Sequence, residues 1–245
     1  MTTASGATSS ILPLELRDVS YGVREQLLLK AIRLRLEAGG MSVILGPNGA
    51  GKSLTLRLAH GLIEPTSGRV CWLGAGAAEA ALRQAMVFER PVLLRRSAAA
   101  NVDYALALHG VGRAARRLRV AEVLEKTGLA AIAQRPARVL SAGEQQRLTL
   151  ARAWALSPEV LFLDEPTAAL DPTATRSVEA IIENIAASGT KIVMTTHDLG
   201  QARRLADEVV FLARGELLEH TPAAEFFEAP RSAEAQAFLK GELLW

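Results

Sequence analysis

The residues of this chain best suited to chemistry fall into four short clusters. The first is Gly46, Pro47, Asn48, Gly49, Ala50, Gly51, Lys52 and Ser53, followed by Leu54. Glycines at 46, 49 and 51 permit a bend in which consecutive backbone N–H groups point inward, where side chains would otherwise obstruct them. Such a concavity binds phosphate oxygens, while Lys52 supplies a point charge for the outer phosphates and the Ser53 hydroxyl is a ligand for Mg²⁺. The pattern lies between an apolar run and an amphipathic one, the strand-to-helix context that a phosphate-binding loop requires. A glycine-rich turn without a ligand is the competing reading, and the flanking elements disfavour it.

The second cluster is "VLFLDEPTAALD". Four apolar residues, Val160 to Leu163, predict a buried strand that delivers Asp164 to its C-terminal end, where α/β sheets place their ligands. Asp164 is the candidate Mg²⁺ acid, and Glu165 directly after it is the candidate general base for an attacking water. Two adjacent carboxylates would be costly as core, although a strand-end acid is often merely solvated. The third cluster, "KIVMTTHD", puts His197 at another strand end, from which it could reach a terminal phosphate; a lone histidine is more often structural. The fourth is Ser141-Ala142-Gly143-Glu144, which fits a capping box. A helix N-terminus also presents free N–H groups to an anion, so Ser141 has two readings, cap or phosphate ligand, and a hydroxyl is able to serve both.

The elements that must position these residues are legible in the hydrophobic pattern. "LELRDVSYG" and "AIRLRLEAG" alternate, with Ile32, Leu34 and Leu36 opposite Arg33 and Arg35, which predicts an N-terminal antiparallel β region. After Gly40 come short, almost wholly apolar runs, "MSVIL", "AMVFE", "VLFLD" and "KIVMTT", the mark of parallel strands covered on both faces. "EVVFLARGELLEH" reads as a hairpin turning near Arg214-Gly215. Between residues 91 and 140 the alanine- and leucine-rich pattern predicts helices only. The expected architecture is therefore an α/β core with a mostly parallel sheet, residues 14–90 and 141–245, an inserted helical subdomain at about 91–140, and a loose polar tail over 1–13.

Bulk properties narrow the class further. The formal net charge of +2 gives no case for a nucleic-acid partner, despite the arginines between Arg95 and Arg119. The single cysteine, Cys71, allows no internal disulfide and suits a reducing compartment. Charges interrupt every apolar stretch before membrane-spanning length, and the first residues lack the basic start and apolar segment of a signal peptide, so a cytoplasmic location is expected.

The order of phosphate loop, helical insert, "LSAGEQQRL", "LFLDEPTAALD" and "TTHD" resembles the ATP-binding cassette (ABC) family from about Leu14 to the C-terminus. That resemblance implies a P-loop NTPase fold, ATP and Mg²⁺ as cofactors, and a homodimer that sandwiches two ATP molecules head to tail. It implies that Ser141 and Gly143 contact the ATP of the other subunit, that Tyr21 stacks on adenine, and that the loop ending at Asp171 crosses to the partner site. It also implies integral membrane permease subunits as partners, a substrate-binding protein served indirectly, and a position on the inner face of the cell membrane. The compact length and the "FFEAP" ending look most like ATPases importing tungstate, molybdate or phosphate, with the permease contacted through "ERPVLLRRSAAANV". A soluble cassette ATPase uncoupled from transport is the alternative; its usual coiled coil or second phosphate loop does not occur in this sequence.

The chain departs from the family pattern in three places. Ala142 and Glu144 replace a glycine and a glutamine in the signature, the second preserving the cap. Glu89 stands where the family has a glutamine whose amide oxygen meets Mg²⁺. A carboxylate keeps an oxygen ligand but loses the amide donor; Glu89 either remains a metal ligand or turns outward to pair with Arg90, Arg95 or Arg96.

Overall fold

A computed structural model describes residues 10–74 and 76–242. Two sheets organise it. Strands β1 (Leu14–Val23), β2 (Gln26–Leu36) and β4 (Ser67–Trp72) form an antiparallel three-stranded sheet in the order β2-β1-β4. Ile32, Leu34 and Leu36 are buried while Arg33 and Arg35 are exposed, as their alternation predicts.

The larger sheet contains β3 (Met41–Leu45), β5 (Gln84–Val87), β6 (Val160–Asp164), β7 (Lys191–Thr195), β8 (Glu208–Ala213) and β9 (Glu216–Pro222), ordered β5-β6-β7-β3-β8-β9. All neighbours are parallel except β8 and β9, which make the hairpin through Arg214 and Gly215. In β6, Leu161 and Leu163 enter one core cluster and Val160 and Phe162 the other. Burial on both faces explains why the strand is an unbroken apolar run.

The helices that matter to the site follow strand ends: α1 (Lys52–His60) after β3, α6 (Pro172–Ala187) after β6 and α7 (Leu199–Leu205) after β7. The stretch between β5 and β6 supplies α3 (Ala98–Leu108), α4 (Arg113–Lys126) and α5 (Ala142–Ala155), while α2 (Ala77–Leu82) precedes β5. Val102, Leu106, Val123 and Leu124 form a core of their own with Leu148 and Ala151 of α5. The opposite face of α5 sends Leu150, Ala153 and Trp154 into the main core. The signature helix is thus shared by both bodies, where the sequence pattern puts a boundary at residue 141.

Two further differences concern the N-terminal region. Of the tail expected over 1–13, residues 1–9 lie outside the described residues, but Ser10 and Ile11 belong to the fold. Ile11 is fully buried, its N–H donates to Glu159 Oε2 at 2.9 Å, and so does the Ser10 hydroxyl. Strand β4 was not foreseen as a strand. Its residues are exposed or half-buried without clean alternation, so pairing with β1 and not its own pattern defines it. Cys71 lies there, half-buried and free. Residues 243–245 are outside the described residues.

Candidate active site

The glycine-rich loop joins the C-terminal end of β3 to the first turn of α1. Gly46, Gly49 and Gly51 all have positive φ, at 148°, 79° and 101°. A Cβ on Gly46 would collide with the Leu212 carbonyl oxygen, so glycine is required there twice over, by conformation and by space. Ala50 is buried and its carbonyl accepts from Gly215 N, which ties the loop to the β8–β9 turn. Asn48, Gly49, Gly51, Lys52, Ser53 and Leu54 line a cleft of ≈ 460 Å³, which also takes in Leu28, Arg57 and Glu165. Pro47 contributes its carbonyl, which together with that of Gly46 accepts from Lys52 Nζ at 3.2 and 2.9 Å. Burial pushes the Lys52 ammonium below its ordinary value, while the charges of Glu165 and Asp164 pull the other way. A polyphosphate entering the cleft would find a dehydrated cation already aimed by two carbonyls.

The strand ends bring the acids to that loop. Ser53 Oγ donates to Asp164 Oδ1 at 2.6 Å, and Arg57, one helical turn on, approaches Asp164 Oδ2 at 3.5 Å. Asp164 is 3% exposed. Among the described residues no group of three or more His, Cys, Asp or Glu forms a metal cluster. Ser53 and Asp164 nonetheless offer only oxygen donors, the set suited to a hard cation that takes its other ligands from phosphates and water. Glu165 follows with φ 43°, a left-handed conformation worth about 1–2 kcal/mol of strain in a non-glycine residue. Its Oε1 lies 4.0 Å from Lys52 Nζ and its Oε2 2.7 Å from His197 Nδ1. A carboxylate only accepts, so the bridging proton sits on Nδ1 of His197. Glu165 and His197 therefore meet beside the glycine-rich loop, on one edge of the sheet.

The remaining predicted residues are distributed differently. Ser141 caps α5 in a full capping box: its Oγ accepts from Glu144 N at 3.3 Å and Glu144 Oε2 accepts from Ser141 N at 2.7 Å. Ser141 and Gly143 line a separate cleft of ≈ 330 Å³ with Arg147, Leu170 and Asp171, none of which borders the phosphate cradle. A Cβ on Gly143 would crowd Ala174 Cβ at 2.9 Å, which accounts for a glycine at that position. Asp171 caps α6, accepting from Thr173 N and Ala174 N at 2.8 and 2.9 Å. Tyr21 pairs with Leu29 across the small sheet and packs, half-buried, against the core. Glu89 is exposed and, among the described residues, has no hydrogen bond or ion pair with Ser53, Asp164, Arg90, Arg95 or Arg96. Outward pairing with Arg90, Arg95 or Arg96 is not formed among the described residues; Arg96 lies over the Tyr104 ring at 5.1 Å. Sequence reasoning missed Leu28 and Arg57, which line the cleft, and Thr195, whose Oγ1 donates to Asp164 Oδ1 at 2.9 Å. Only Arg57 had a readable signal, a basic residue four positions after Ser53 on the same helix face.

A parallel sheet whose C-terminal edge carries a glycine loop, a buried lysine, an Asp-Glu pair and a histidine defines the class of P-loop nucleoside triphosphatases. The family model described as ABC transporter matches residues 29–168, and the chain belongs to the ABC transporter family. It is 42% identical over 239 residues to a methionine import ATP-binding protein of Nocardia farcinica, covering 92% of this chain and 72% of that protein. It is 33% identical over 247 residues to a phosphate import ATP-binding protein of Thermotoga maritima, covering 94% and 98%. A solved ATP-binding subunit of an ABC transporter superposes with TM-score 0.81 at 26% identity, covering 94% of this chain and 99% of that one. A dimeric ATP-binding cassette in a post-hydrolysis state with ADP and Pi superposes with TM-score 0.75 at 28% identity, covering 86% and 98%. The chain binds ATP and is an ATPase, as ATP-binding subunits of this family are.

Proposed function

We propose that this protein is the ATP-hydrolysing subunit of an ABC importer. In this reading it works as a head-to-tail homodimer against integral membrane permease subunits on the cytoplasmic face, serving a substrate-binding protein indirectly. The observation that carries the dimer is the separation of the two halves of the site. Ser141 and Gly143 border a cleft that shares no lining residue with the phosphate cradle, which supports a second chain as the source of the ATP that the signature touches. Dimerisation is supported by the post-hydrolysis cassette dimer, and import by the methionine- and phosphate-import relatives. Among the described residues no helix is long and apolar enough to cross a membrane, so the translocation path would belong to the permease. Val92, 65% exposed beside the exposed Arg95 and Arg96, supports "ERPVLLRRSAAANV" as the permease contact.

In the site, Gly46–Ser53 would hold the phosphates and Ser53 and Asp164 the Mg²⁺, which when bound supplies charge neutralisation between the outer phosphates. Glu165 Oε1 would accept the proton of the attacking water, and His197, tethered through Nδ1, would keep that carboxylate oriented. Tyr21, with Leu28 on the wall of the cleft, would cover the adenine ring. Glu89, exposed and without a hydrogen bond or ion pair among the described residues, would approach the metal only after a movement of its loop.

For the cargo, the phosphate-import relatives support an oxyanion, and the more identical methionine-import relative supports a small amino acid. The test begins with Glu165→Gln. ATP-dependent dimerisation, followed by light scattering, should be retained, with hydrolysis slowed by ~10²–10⁴-fold, the range for loss of a general base. Cells that depend on this chain should then lose uptake of labelled methionine or labelled phosphate, and which one fails names the cargo. Near-wild-type turnover would remove Glu165 from the mechanism, and a chain that stays monomeric with ATP would remove the dimer.

A further inference from the structure

Thr195 ends β7 in register with Asp164 at the end of β6, and it is fully buried. The three residues before it, Ile192, Val193 and Met194, are all apolar core. A hydroxyl placed there is unfavourable unless it is used. It is used twice. Thr195 Oγ1 donates to Asp164 Oδ1 at 2.9 Å and accepts from the backbone N–H of Glu165 at 2.9 Å. Asp164 Oδ1 also takes the Ser53 hydroxyl at 2.6 Å, so that oxygen receives hydrogen bonds from both sides.

We propose that Thr195 is a positioning residue for the hydrolysis: its one hydroxyl fixes the metal-binding carboxylate of Asp164 and the left-handed backbone of Glu165 relative to each other. The inference rests on the reading of Asp164 as metal acid and Glu165 as base. Glu165 sits at φ 43°, and among the described residues its side chain is tethered only through His197 and the distant Lys52. A backbone held in a sparsely populated region persists only where its surroundings over-determine it. Here the Thr195 oxygen does so, because the Glu165 N–H would otherwise be left without that partner. On the other side, the donated hydrogen bond selects one orientation of the Asp164 carboxylate. A valine would fill the same volume and pack as well against the β-branched neighbours, so packing alone does not call for threonine. Partners that orient a metal ligand typically change metal affinity by 10–100-fold when removed.

The experiment compares Thr195→Val, Thr195→Ser and Thr195→Ala in the full chain, with Glu165→Gln as a control. Thr195→Val should fold, melting several degrees lower because the Glu165 N–H loses its partner, and bind metal-free ATP equally well. Its kcat should fall by about 10- to 100-fold, the effect of a misplacement of about an ångström. Mn²⁺ binding to the ATP-loaded protein, read by electron paramagnetic resonance without turnover, should weaken by about 10-fold. Thr195→Ser should restore both quantities. If the valine variant does not fold, the Ser and Ala variants differ only by the hydroxyl and make the same comparison. Wild-type kcat and Mn²⁺ affinity in Thr195→Val, or equal impairment of the Ser variant, would overturn the proposal. With Glu165→Gln inactive, that result sinks only the role of Thr195; with Glu165→Gln fully active, the underlying assignment of the base falls first.

Discussion

Replacing Glu208 by glutamine should destabilise the protein strongly at neutral pH and less than half as much at pH 3, without touching the chemistry. Glu208 opens β8, at the end of the sheet opposite the phosphate cradle. Burial by itself pushes its carboxyl upward, but hydrogen bonds from His220 (2.8 Å) and Ser42 and the ammonium of Lys191 at 3.0 Å outweigh that and hold it at about 2. Asp207 and Glu37 border the cleft that Glu208, Lys191 and His220 line. The unfolded chain protonates this group near 4.5, so the folded state gains stability from the ionised form above that value and loses it as pH falls towards 2. A difference of about 2.5 pK units corresponds to roughly 3 kcal/mol at pH 7, shrinking to about 1 kcal/mol at pH 3. The substitution would also strand Lys191, whose side chain is 4% exposed, without its carboxylate. For a chain of this size about 3 kcal/mol lowers Tm by roughly 6–12 °C. Fluorescence melts of wild type and Glu208→Gln at pH 7, 5 and 3 should show a gap that narrows below pH 5, while ATP turnover at 25 °C and pH 7 stays near normal. A gap of constant size across that range, or none at pH 7, would refute the linkage to this carboxylate.

Three other outcomes are expected. On a Glu165→Gln background, Lys52→Ala in one subunit and Ser141→Arg in the other should leave one tightly occluded ATP per dimer, and both changes in the same subunit should leave none; the reverse order returns Ser141 to being a helix cap only. Glu89→Gln should keep basal turnover within a few-fold, and Glu89→Ala should match it unless the permease is present; a large drop in permease-free Mg²⁺-dependent rate for Glu89→Ala would show that the loop reaches the metal without a partner. His197→Ala, which frees Glu165 Oε2 from its 2.7 Å contact, should lower kcat by ~10²-fold or more with ATP affinity little changed, as for loss of a group acting with the base; a rise in KM at constant kcat would make His197 a binding residue instead.

Much of this molecule is written locally. The phosphate loop is legible because glycines, lysine and serine must recur at fixed spacing for backbone N–H groups to converge, and neighbouring residues alone build that curve. Four of the five parallel strands are legible because burial on both faces demands unbroken apolar runs, and the fifth, β8, is legible only as one arm of the hairpin. The capping box at Ser141 needs only four consecutive residues, and it forms as read. What the local pattern does not contain is pairing across the chain. Strand β4 exists because β1 lies beside it, and α5 is divided between two cores because helices from the insert and strands from the sheet reach it from opposite sides. Thr195 reads as one more β-branched strand residue, and only the parallel register of β6 and β7 turns its hydroxyl into a clasp on Asp164 and Glu165. Glu89 shows the converse: its type suggests a metal ligand, and the folded loop leaves it exposed and unbonded. Residue identity at motif spacing determined which chemistry this protein could hold; the strand order decided which of those groups meet, because hydrogen bonds act over a few ångströms and only the packed sheet brings residues 53, 164 and 195 within that reach.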